Sequence, residues 1–190
     1  MSEWNAEVAD WYAQNYGDYP TNHLSIDQLD LGDSSVIVDV GCGTGSALRY
    51  GSTKLSGGQL IGIDPVPRML EIAIEQTKDH PAQDRIEFRL GPAESLPVED
   101  NVADWVLAFD SIDHWTDVTE GLAEVKRILR PGGSFAIVKD SGTPKPQDSI
   151  NAAASKLKAT GFTIDEPLKV SDDEIEFFLL IAQVPPQEVA

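Results

Sequence analysis

The chain reads Val38-Asp39-Val40-Gly41-Cys42-Gly43-Thr44-Gly45 at the point where a short apolar run meets a predicted helix. The run at residues 36–40 is apolar almost throughout, which is typical of a strand buried on both faces. Glycine at every second position after it allows a sharp turn and a close approach of the backbone to a ligand. Such a loop lies at the carboxyl end of a parallel sheet, where ligands bind. A plain tight turn between strand and helix is the alternative interpretation.

Strands and helices alternate along the chain after this loop. Further strands are predicted at residues 60–63, 86–90, 105–109 and 135–138, with helices between them. Charged and apolar residues alternate in the third of these five strands, so it is expected at a sheet edge. Past residue 140 we expect a helix near 150–159 and an antiparallel hairpin of strands near 162–170 and 176–184. The pattern predicts an α/β fold, with a seven-stranded, mostly parallel sheet, an antiparallel last strand and helices on both faces.

The composition fits one globular domain, with 41% hydrophobic and 24% charged residues among 190. We find no apolar run long enough to span a bilayer and no signal-peptide pattern, so no membrane partner is expected. The single cysteine, Cys42, excludes an internal disulfide and fits a reducing cytoplasm, where we expect the protein. The three histidines lack metal-ligand spacing, so no metal is predicted.

The charge balance is strongly acidic, with 32 acidic against 14 basic residues and a formal net charge of −18. A surface of that charge repels phosphate backbones, and no nucleic-acid partner is expected. Solubility, or a source living in salt, is the simplest interpretation of the charge. A field that attracts cationic ligands is the alternative.

A second acidic residue, Asp64, ends the next predicted strand, 19 residues after Gly45. Its two oxygens suit hydrogen bonds from vicinal ribose hydroxyls. The alternative is a helix N-cap placed directly before Pro65. A dinucleotide-binding loop requires glycine at the position of Ser46, so the glycine spacing departs from that fingerprint.

With these features in this order, the chain resembles the class I S-adenosylmethionine-dependent methyltransferases, in particular the type 11 group, over residues 36–140. The resemblance implies a Rossmann-like fold in one domain, residues 1–190. It would comprise an N-terminal helical lid region (1–35), a cofactor-binding core (36–140) and a C-terminal helix and hairpin (141–190). Leu129-Arg130-Pro131-Gly132-Gly133, before the fifth strand, is a frequent feature of the family.

The resemblance also implies a site for S-adenosyl-L-methionine. In the family the glycine loop wraps the methionine part, with the acid at Asp39 reaching its amino group through water. An acid that commonly contacts adenine is replaced here by Pro92, so Ala93 and Glu94 are expected to substitute for it. The cofactor-binding residues so predicted are Asp39, Gly41, Cys42, Gly43, Thr44, Gly45, Asp64, Pro65, Met69, Ala93, Glu94, Phe109 and Asp110.

The implied reaction is methyl transfer to a small organic acceptor by direct displacement, which depends chiefly on alignment of the reacting atoms. In the family, the segment after the fourth strand borders the methyl group, and it contains Asp113 and His114. We predict His114 as general base, assisted by Asp113 or Tyr16. A surface or capping histidine is the alternative. An inactive cofactor-binding module and a nucleotide-dependent oxidoreductase remain alternative functions.

An aromatic stripe at helical spacing occupies the N-terminus and includes Trp4, Val8, Trp11, Tyr12 and Tyr16. It is interpreted either as core packing or as a lid over the acceptor. We expect a mixed arrangement, in which Trp4 and Val8 anchor the helix while Tyr12 and Tyr16 face the site. A second subunit is the other possible source of a lid, which makes a homodimer a possible partner.

Overall fold

The computed structural model describes residues 4–140, 145–172 and 175–186. Its eight strands, β1 to β8, are Ile37–Val40, Leu60–Asp64, Ile86–Leu90, Ala103–Phe109, Leu129–Asp140, Thr163–Ile164, Leu168–Ser171 and Glu176–Gln183. Its α-helices, α1 to α6, are Ala6–Tyr16, Pro20–Ile26, Ser46–Ser52, Pro67–Thr77, Val118–Ile128 and Pro146–Ala159. Two short 3₁₀ helices, Gln83–Arg85 and Ile112–His114, complete the described elements.

The strands form one sheet in the order β3-β2-β1-β4-β5-β8-β6, with β7 also paired to β8. Strands β1 to β5 are parallel, and β8 runs antiparallel to β5. The predicted mostly parallel sheet, its edge strand β3 and the antiparallel hairpin of β7 and β8 are therefore confirmed. The sheet has eight described strands where seven were predicted, because the stretch predicted as one strand at 162–170 divides into β6 and β7. Pro167 lies in the break and has no N–H to donate to a ladder.

Apolar side chains cover both faces of the sheet, and all four residues of β1 are buried. On one face, α5 contributes Leu122, Val125 and Ile128 to the core. On the other face, α3 contributes Leu48 and α2 contributes Ile26. Because β1 pairs in parallel with both β2 and β4, the carboxyl ends of these three strands lie side by side at one end of the sheet.

Some helix boundaries differ from the sequence predictions. Helix α3, after the glycine loop, is short, with seven residues. Helix α6 begins at Pro146, about four residues before the predicted start. Helix α2 is absent from the sequence predictions, although Pro20 at its first turn is a common helix start.

The N-terminal helix α1 lies at the periphery. Asn5 caps it by accepting the N–H of Val8 at 2.9 Å, and Ala9 is its only buried residue. Trp11 is 57% exposed and Tyr16 is 43% exposed, so a core role for these two aromatic residues is wrong. No helix in the described parts of the chain is long and apolar enough to cross a membrane.

Candidate functional site

The glycine loop after β1 has a backbone that only glycine adopts readily. Gly41, Gly43 and Gly45 have φ values of +79°, +52° and +77°. A Cβ atom on Gly41 would lie 2.5 Å from the Cβ of Ser111, so the loop also packs too closely for a side chain there. At Gly43, by contrast, nothing lies within 4 Å of an added Cβ. The loop therefore presents bare backbone to an open space at this point.

Asp64, at the end of β2, is hydrogen-bonded to the backbone of the glycine loop. Its Oδ2 accepts the N–H of Gly43 at 3.0 Å, and its Oδ1 accepts the N–H of Val66, the N-cap of α4, at 2.9 Å. Burial raises the pKa of this carboxyl, and the two N–H groups partly oppose that shift. The alternative role of Asp64 as the N-cap of α4 is not observed, because Val66 occupies that position. A carboxylate has about four acceptor positions, so two hydrogen bonds leave acceptor capacity for a ligand.

Asp39, within β1, is a second buried carboxylate. It is 3% exposed. Burial, together with the nearby charge of Asp64, raises the pKa of Asp39 to about 7. The group is consequently poised to change its ionisation near neutral pH.

Two adjoining cavities open at this end of the sheet and share part of their walls. The first cavity has a volume of about 180 Å³ and the second about 50 Å³. The first is lined by Trp4, Tyr12, Val40, Gly41, Gly43, Asp64, Pro65, Val66, Met69, Gly91, Pro92, Ala93, Glu94, Phe109, Asp110, Ser111, His114, Trp115 and Thr116. The second is lined by Tyr12, Tyr16, Gly17, Tyr19, Thr21, Asn22, Asp39, Gly41, Cys42, Gly43, Thr44, Ala47, Phe109 and Asp110.

The tip of β4 lines both cavities, through Phe109 and Asp110. Asp110 has φ +52°, and its Oδ1 accepts the N–H of Asp140 at 2.9 Å. The next residue, Ser111, donates its hydroxyl to the carbonyl of Val40 at 2.6 Å and so joins this tip to β1. Burial raises the pKa of the Asp110 carboxyl. Asp110, whose backbone has a sparsely populated positive φ and whose carboxylate is hydrogen-bonded, thus borders both cavities.

Aromatic rings from the N-terminal segment form the outer side of the cavities. The ring of Tyr12 lies 5.4 Å from that of Trp4 and 5.5 Å from that of Tyr16. The ring of Tyr16 in turn lies 5.9 Å from that of Tyr19. Burial, and then the charges of Asp110 and Asp64, raise the pKa of Tyr12 to about 12. These four aromatic residues, here called the aromatic wall, lie between solvent and the carboxylates at the carboxyl ends of the strands.

Two hydrogen bonds join the glycine loop and the start of α3 to the turn between Tyr16 and Tyr19 of the aromatic wall. The hydroxyl of Thr44 donates to the carbonyl of Gly17, and the hydroxyl of Ser46 donates to Asp18 at 2.7 Å. Gly17 and Asp18 lie between α1 and α2, where the wall changes direction. The N-terminal segment was expected to anchor itself through Trp4 and Val8 and to face the site with Tyr12 and Tyr16. Tyr12 and Tyr16 do line the cavities, but so does Trp4.

The predicted pair of His114 and Asp113 does not form. His114 lines the first cavity and its ring lies 5.9 Å from that of Trp4. Asp113 points elsewhere, because its carboxylate pairs with the buried Lys139 at 2.6 Å and accepts the hydroxyl of Ser149 at 3.3 Å. Lys139 is 2% exposed, so its ammonium strongly favours a nearby counter-charge. This is the physical reason that Asp113 is drawn away from the histidine.

Most other predicted site residues do come together. All the predicted cofactor-binding residues except Gly45 line one of the two cavities, and so do His114 and Tyr16. Gly45 caps α3 behind the loop, where a Cβ would lie 2.7 Å from the ring of Phe88. Glu94 lines the first cavity, but its Oε1 accepts the N–H of Asp117 at 2.8 Å.

Two parts of the lining were missed from the sequence. Tyr19 precedes α2, and the Tyr19-Pro20 step was a signal for that helix start. Trp115 and Thr116 follow His114 and extend the first cavity towards α5. Among the described residues, no group of three or more His, Cys, Asp or Glu residues is arranged to hold a metal ion.

Residues 38–137 match the family model described as a methyltransferase domain. The chain belongs to this family. The resemblance found from the sequence is therefore confirmed, and the matches support an enzyme with S-adenosylmethionine as cofactor.

Several curated relatives are similar over part of their length. The chain is 32% identical over 111 residues to the methyltransferase GfsG of Streptomyces halstedii, covering 58% of this chain and 40% of that protein. It is 33% identical over 132 residues to an uncharacterised methyltransferase of Mycobacterium tuberculosis, covering 67% and 48%. It is 29% identical over 124 residues to a ubiquinone/menaquinone biosynthesis C-methyltransferase of a Geobacter species, covering 65% and 53%. The chain thus spans about half, or less, of the length of these relatives.

Solved structures share the fold over nearly the whole chain. A methyltransferase of Haloferax volcanii, solved in complex with the Trm112 methyltransferase activator, has a TM-score of 0.81 at 19% identity, covering 97% of this chain and 98% of that one. An S-adenosylmethionine-dependent methyltransferase of Methanococcus maripaludis has a TM-score of 0.77 at 23% identity, covering 100% and 98%. At these identities the likeness concerns the fold alone.

Proposed function

We propose that this chain transfers the methyl group of S-adenosylmethionine to a small organic acceptor by direct displacement. The observation that carries the proposal is the pair of adjoining cavities between the glycine loop and the aromatic wall. The proposed cofactor residues line both cavities, so we propose that the cofactor lies along the glycine loop across the two, with the acceptor on the side of the aromatic wall. Membership of the methyltransferase domain family supports the same reaction.

The residues of the cavities fit the chemistry of this cofactor. The open space over Gly43 is a cradle that a side chain would fill. The buried carboxylates Asp39 and Asp64 suit a ligand that carries an ammonium group and vicinal hydroxyls. We propose that Asp39 faces the ammonium end and Asp64 the ribose, with Met69, Ala93 and Glu94 around the adenine. When bound, the cofactor supplies a methyl group on a positively charged sulfur, a good leaving group.

The protein's own contribution is then alignment and exclusion of water. The glycine loop holds one partner by its backbone, and the aromatic wall covers the other. We keep His114 as the proposed general base, since it lines the first cavity, and Tyr16 as an assisting residue in the second. Asp113 remains a weaker proposal, because its carboxylate is paired with Lys139.

An inactive binding module is the competing function, and Pro92 is the feature that favours it. Pro92 lines the first cavity where related enzymes commonly have an acid, and it offers no N–H. A nucleotide-dependent oxidoreductase is disfavoured, because Ser46 begins α3 where a dinucleotide loop requires glycine.

Calorimetric titration with S-adenosylmethionine, S-adenosylhomocysteine and nicotinamide dinucleotide tests the cofactor. Binding of the first two and not the third is expected. Gly43→Val should weaken S-adenosylhomocysteine binding more than about tenfold, because the side chain fills the cradle. Gly132→Val is the matched control, since Gly132 also has a positive φ of +81° and open space but lies outside both cavities. Equal effects of the two variants would contradict the proposed site.

Transfer of radiolabelled methyl groups to a panel of small acceptors then separates an enzyme from a binding module. An active enzyme labels at least one compound, and labelling should be lost in Gly43→Val. Tight cofactor binding with no labelling over a broad panel would favour the inactive module.

A further inference from the structure

The charges that line the two cavities are all of one sign. Asp39, Asp64, Glu94 and Asp110 contribute carboxylates, whereas no lysine or arginine lines either cavity. Lys139, the last residue but one of β5, is paired with Asp113 instead. S-adenosylmethionine carries a net charge of only +1, so four carboxylates exceed what the proposed cofactor requires.

Asp110 is the carboxylate best placed for a second ligand. Asp39 and Asp64 are assigned to the cofactor under the proposed function, and Glu94 is engaged by the N–H of Asp117 at 2.8 Å. Asp110 borders both cavities, and its Oδ1 is held by the N–H of Asp140 at 2.9 Å. Its Oδ2 accepts no hydrogen bond from any other residue in the described part of the chain. One oxygen thus fixes the carboxylate while the other remains available at the boundary of the cavities.

Aromatic faces accompany this carboxylate. Tyr12, Tyr16 and Tyr19 line the second cavity, with ring centroids 5.5 Å and 5.9 Å apart in sequence order. Tyrosine rings attract cations through the negative face of the ring, and the attraction increases when the cation is desolvated. A carboxylate beside three tyrosine rings is a suitable environment for an ammonium group. The same environment is unfavourable for a carboxylate or phosphate, which would face like charge without a cationic partner.

On the basis of the proposed methyl transfer, we propose that the acceptor is a small amine, held as an ammonium ion between the three tyrosines and the Asp110 carboxylate. For an amine acceptor, Asp110 then replaces His114 as the proposed proton acceptor, because a protonated nitrogen has no lone pair for attack. The ammonium proton passes to Oδ2 of Asp110, and the nitrogen lone pair forms a bond to the methyl carbon. The methyl carbon–sulfur bond breaks with its electron pair remaining on sulfur, giving S-adenosylhomocysteine and a methylated ammonium product. Asp110 finally releases its proton to water.

The burial of Asp110 is consistent with this task. Burial raises the pKa of its carboxyl, which makes the carboxylate a better proton acceptor than an exposed aspartate. Lys139, Asp113 and Asp140 also act on it through their charges, the first lowering and the other two raising that pKa.

The test uses one phenylethyl group that carries a cationic, a neutral or an anionic end group. Protein saturated with S-adenosylhomocysteine is titrated with 2-phenylethylamine, 2-phenylethanol and 3-phenylpropanoate. We expect the amine to bind at least about tenfold more tightly than the alcohol, as for one charge-assisted hydrogen bond, and the carboxylate to bind most weakly. Equal or tighter binding of the alcohol or the carboxylate would overturn the amine proposal.

Asp110→Asn is the informative variant because it removes the charge and keeps the structure. Its side-chain oxygen can still accept the N–H of Asp140, and asparagine tolerates the φ of +52°. The variant should lose about tenfold in affinity for the amine and little for the alcohol. Glu120→Gln is the control, since it removes one exposed carboxylate of α5 outside both cavities and should leave the ratio of amine to alcohol unchanged. A common loss in both variants, or none in Asp110→Asn, would contradict the assignment.

The first titration separates this inference from the proposed function. Failure of the wild-type chain to bind S-adenosylhomocysteine would overturn both. Binding of S-adenosylhomocysteine without preference for the amine would overturn only the acceptor class, and methyl transfer would stand.

Discussion

Asp39 should make cofactor binding depend on pH, because its pKa is about 7 in the free protein. Only the ionised carboxylate attracts the ligand's ammonium group, so binding should favour the ionised form and release a proton. With that pKa, about half of the molecules carry an ionised Asp39 at pH 7 and about 3% at pH 5.5. The dissociation constant for S-adenosylhomocysteine should therefore rise about fifteenfold between pH 7 and pH 5.5 if binding requires the ionised form.

Calorimetric titration between pH 5.5 and pH 7.5 measures this dependence. The range ends at pH 7.5 because the ordinary pKa of an α-amino group is about 7.7–8.0, and at higher pH most of the ligand would lose its ammonium charge. Repeating the titration at pH 7 in two buffers of different ionisation enthalpy should show the release of about half a proton per ligand bound.

Two variants decide whether Asp39 is responsible. Asp39→Asn should bind more weakly at pH 7 and lose most of the pH dependence, whereas Glu94→Gln should retain it. Asp64 and Asp110 also have raised pKa values, so a small residual slope is expected in Asp39→Asn. An affinity that is flat from pH 5.5 to pH 7 in the wild type, or an unchanged slope in Asp39→Asn, would refute the reasoning.

Four further substitutions and one exchange measurement test other parts of the structure. Asp64→Ala should weaken S-adenosylhomocysteine binding by about 1.5–3 kcal/mol through lost charge-assisted hydrogen bonds, and should also lower the melting temperature because two backbone N–H groups lose their acceptor; full affinity in a folded variant would reduce Asp64 to a structural residue. Asp113→Asn should cost about 1–3 kcal/mol of unfolding free energy by leaving the buried Lys139 without its counter-charge, while a loss of turnover at unchanged stability would instead favour the predicted catalytic role. Trp11→Ala and Tyr16→Ala should cost less than the roughly 3–5 kcal/mol typical of buried aromatic residues, because both side chains are substantially exposed. Hydrogen exchange in α1 should slow when S-adenosylhomocysteine binds, and equal, strong protection in both states would show that α1 is purely structural.

The parts of the site that depend on local chemistry could be predicted from the sequence. Residues 36–64 contain a buried strand, a glycine loop and an acid at the end of the next strand. Each of these features can be recognised from a few adjacent residues. Gly41, Gly43 and Asp64 accordingly lie together at the carboxyl ends of β1 and β2. The edge position of β3 was predictable for the same reason, since its charges alternate along the strand itself.

The parts that depend on contacts between distant residues could not be predicted. Asp113 and His114 are neighbours in sequence, which suggested a pair, but Lys139 approaches Asp113 from a strand 26 positions later. Nothing near Lys139 in the sequence indicates that its side chain is buried. Similarly, Tyr19 lies at the second cavity next to the turn at Gly17 and Asp18, which hydrogen bonds from the distant Thr44 and Ser46 hold beside the glycine loop.

The contacts of the glycine loop also bear on how the two cavities act together. Thr44 and Ser46 donate hydrogen bonds to Gly17 and Asp18, so the loop proposed to hold the cofactor also holds the turn that positions the aromatic wall. A ligand that orders the loop should therefore also order the wall. A second ligand then loses less free energy in ordering the wall, which is positive coupling between the sites. Linkage makes that coupling reciprocal: an acceptor that orders the wall must tighten cofactor binding by the same factor. The peripheral position of α1 is consistent with this arrangement, because a wall packed into the core would have no order left to gain.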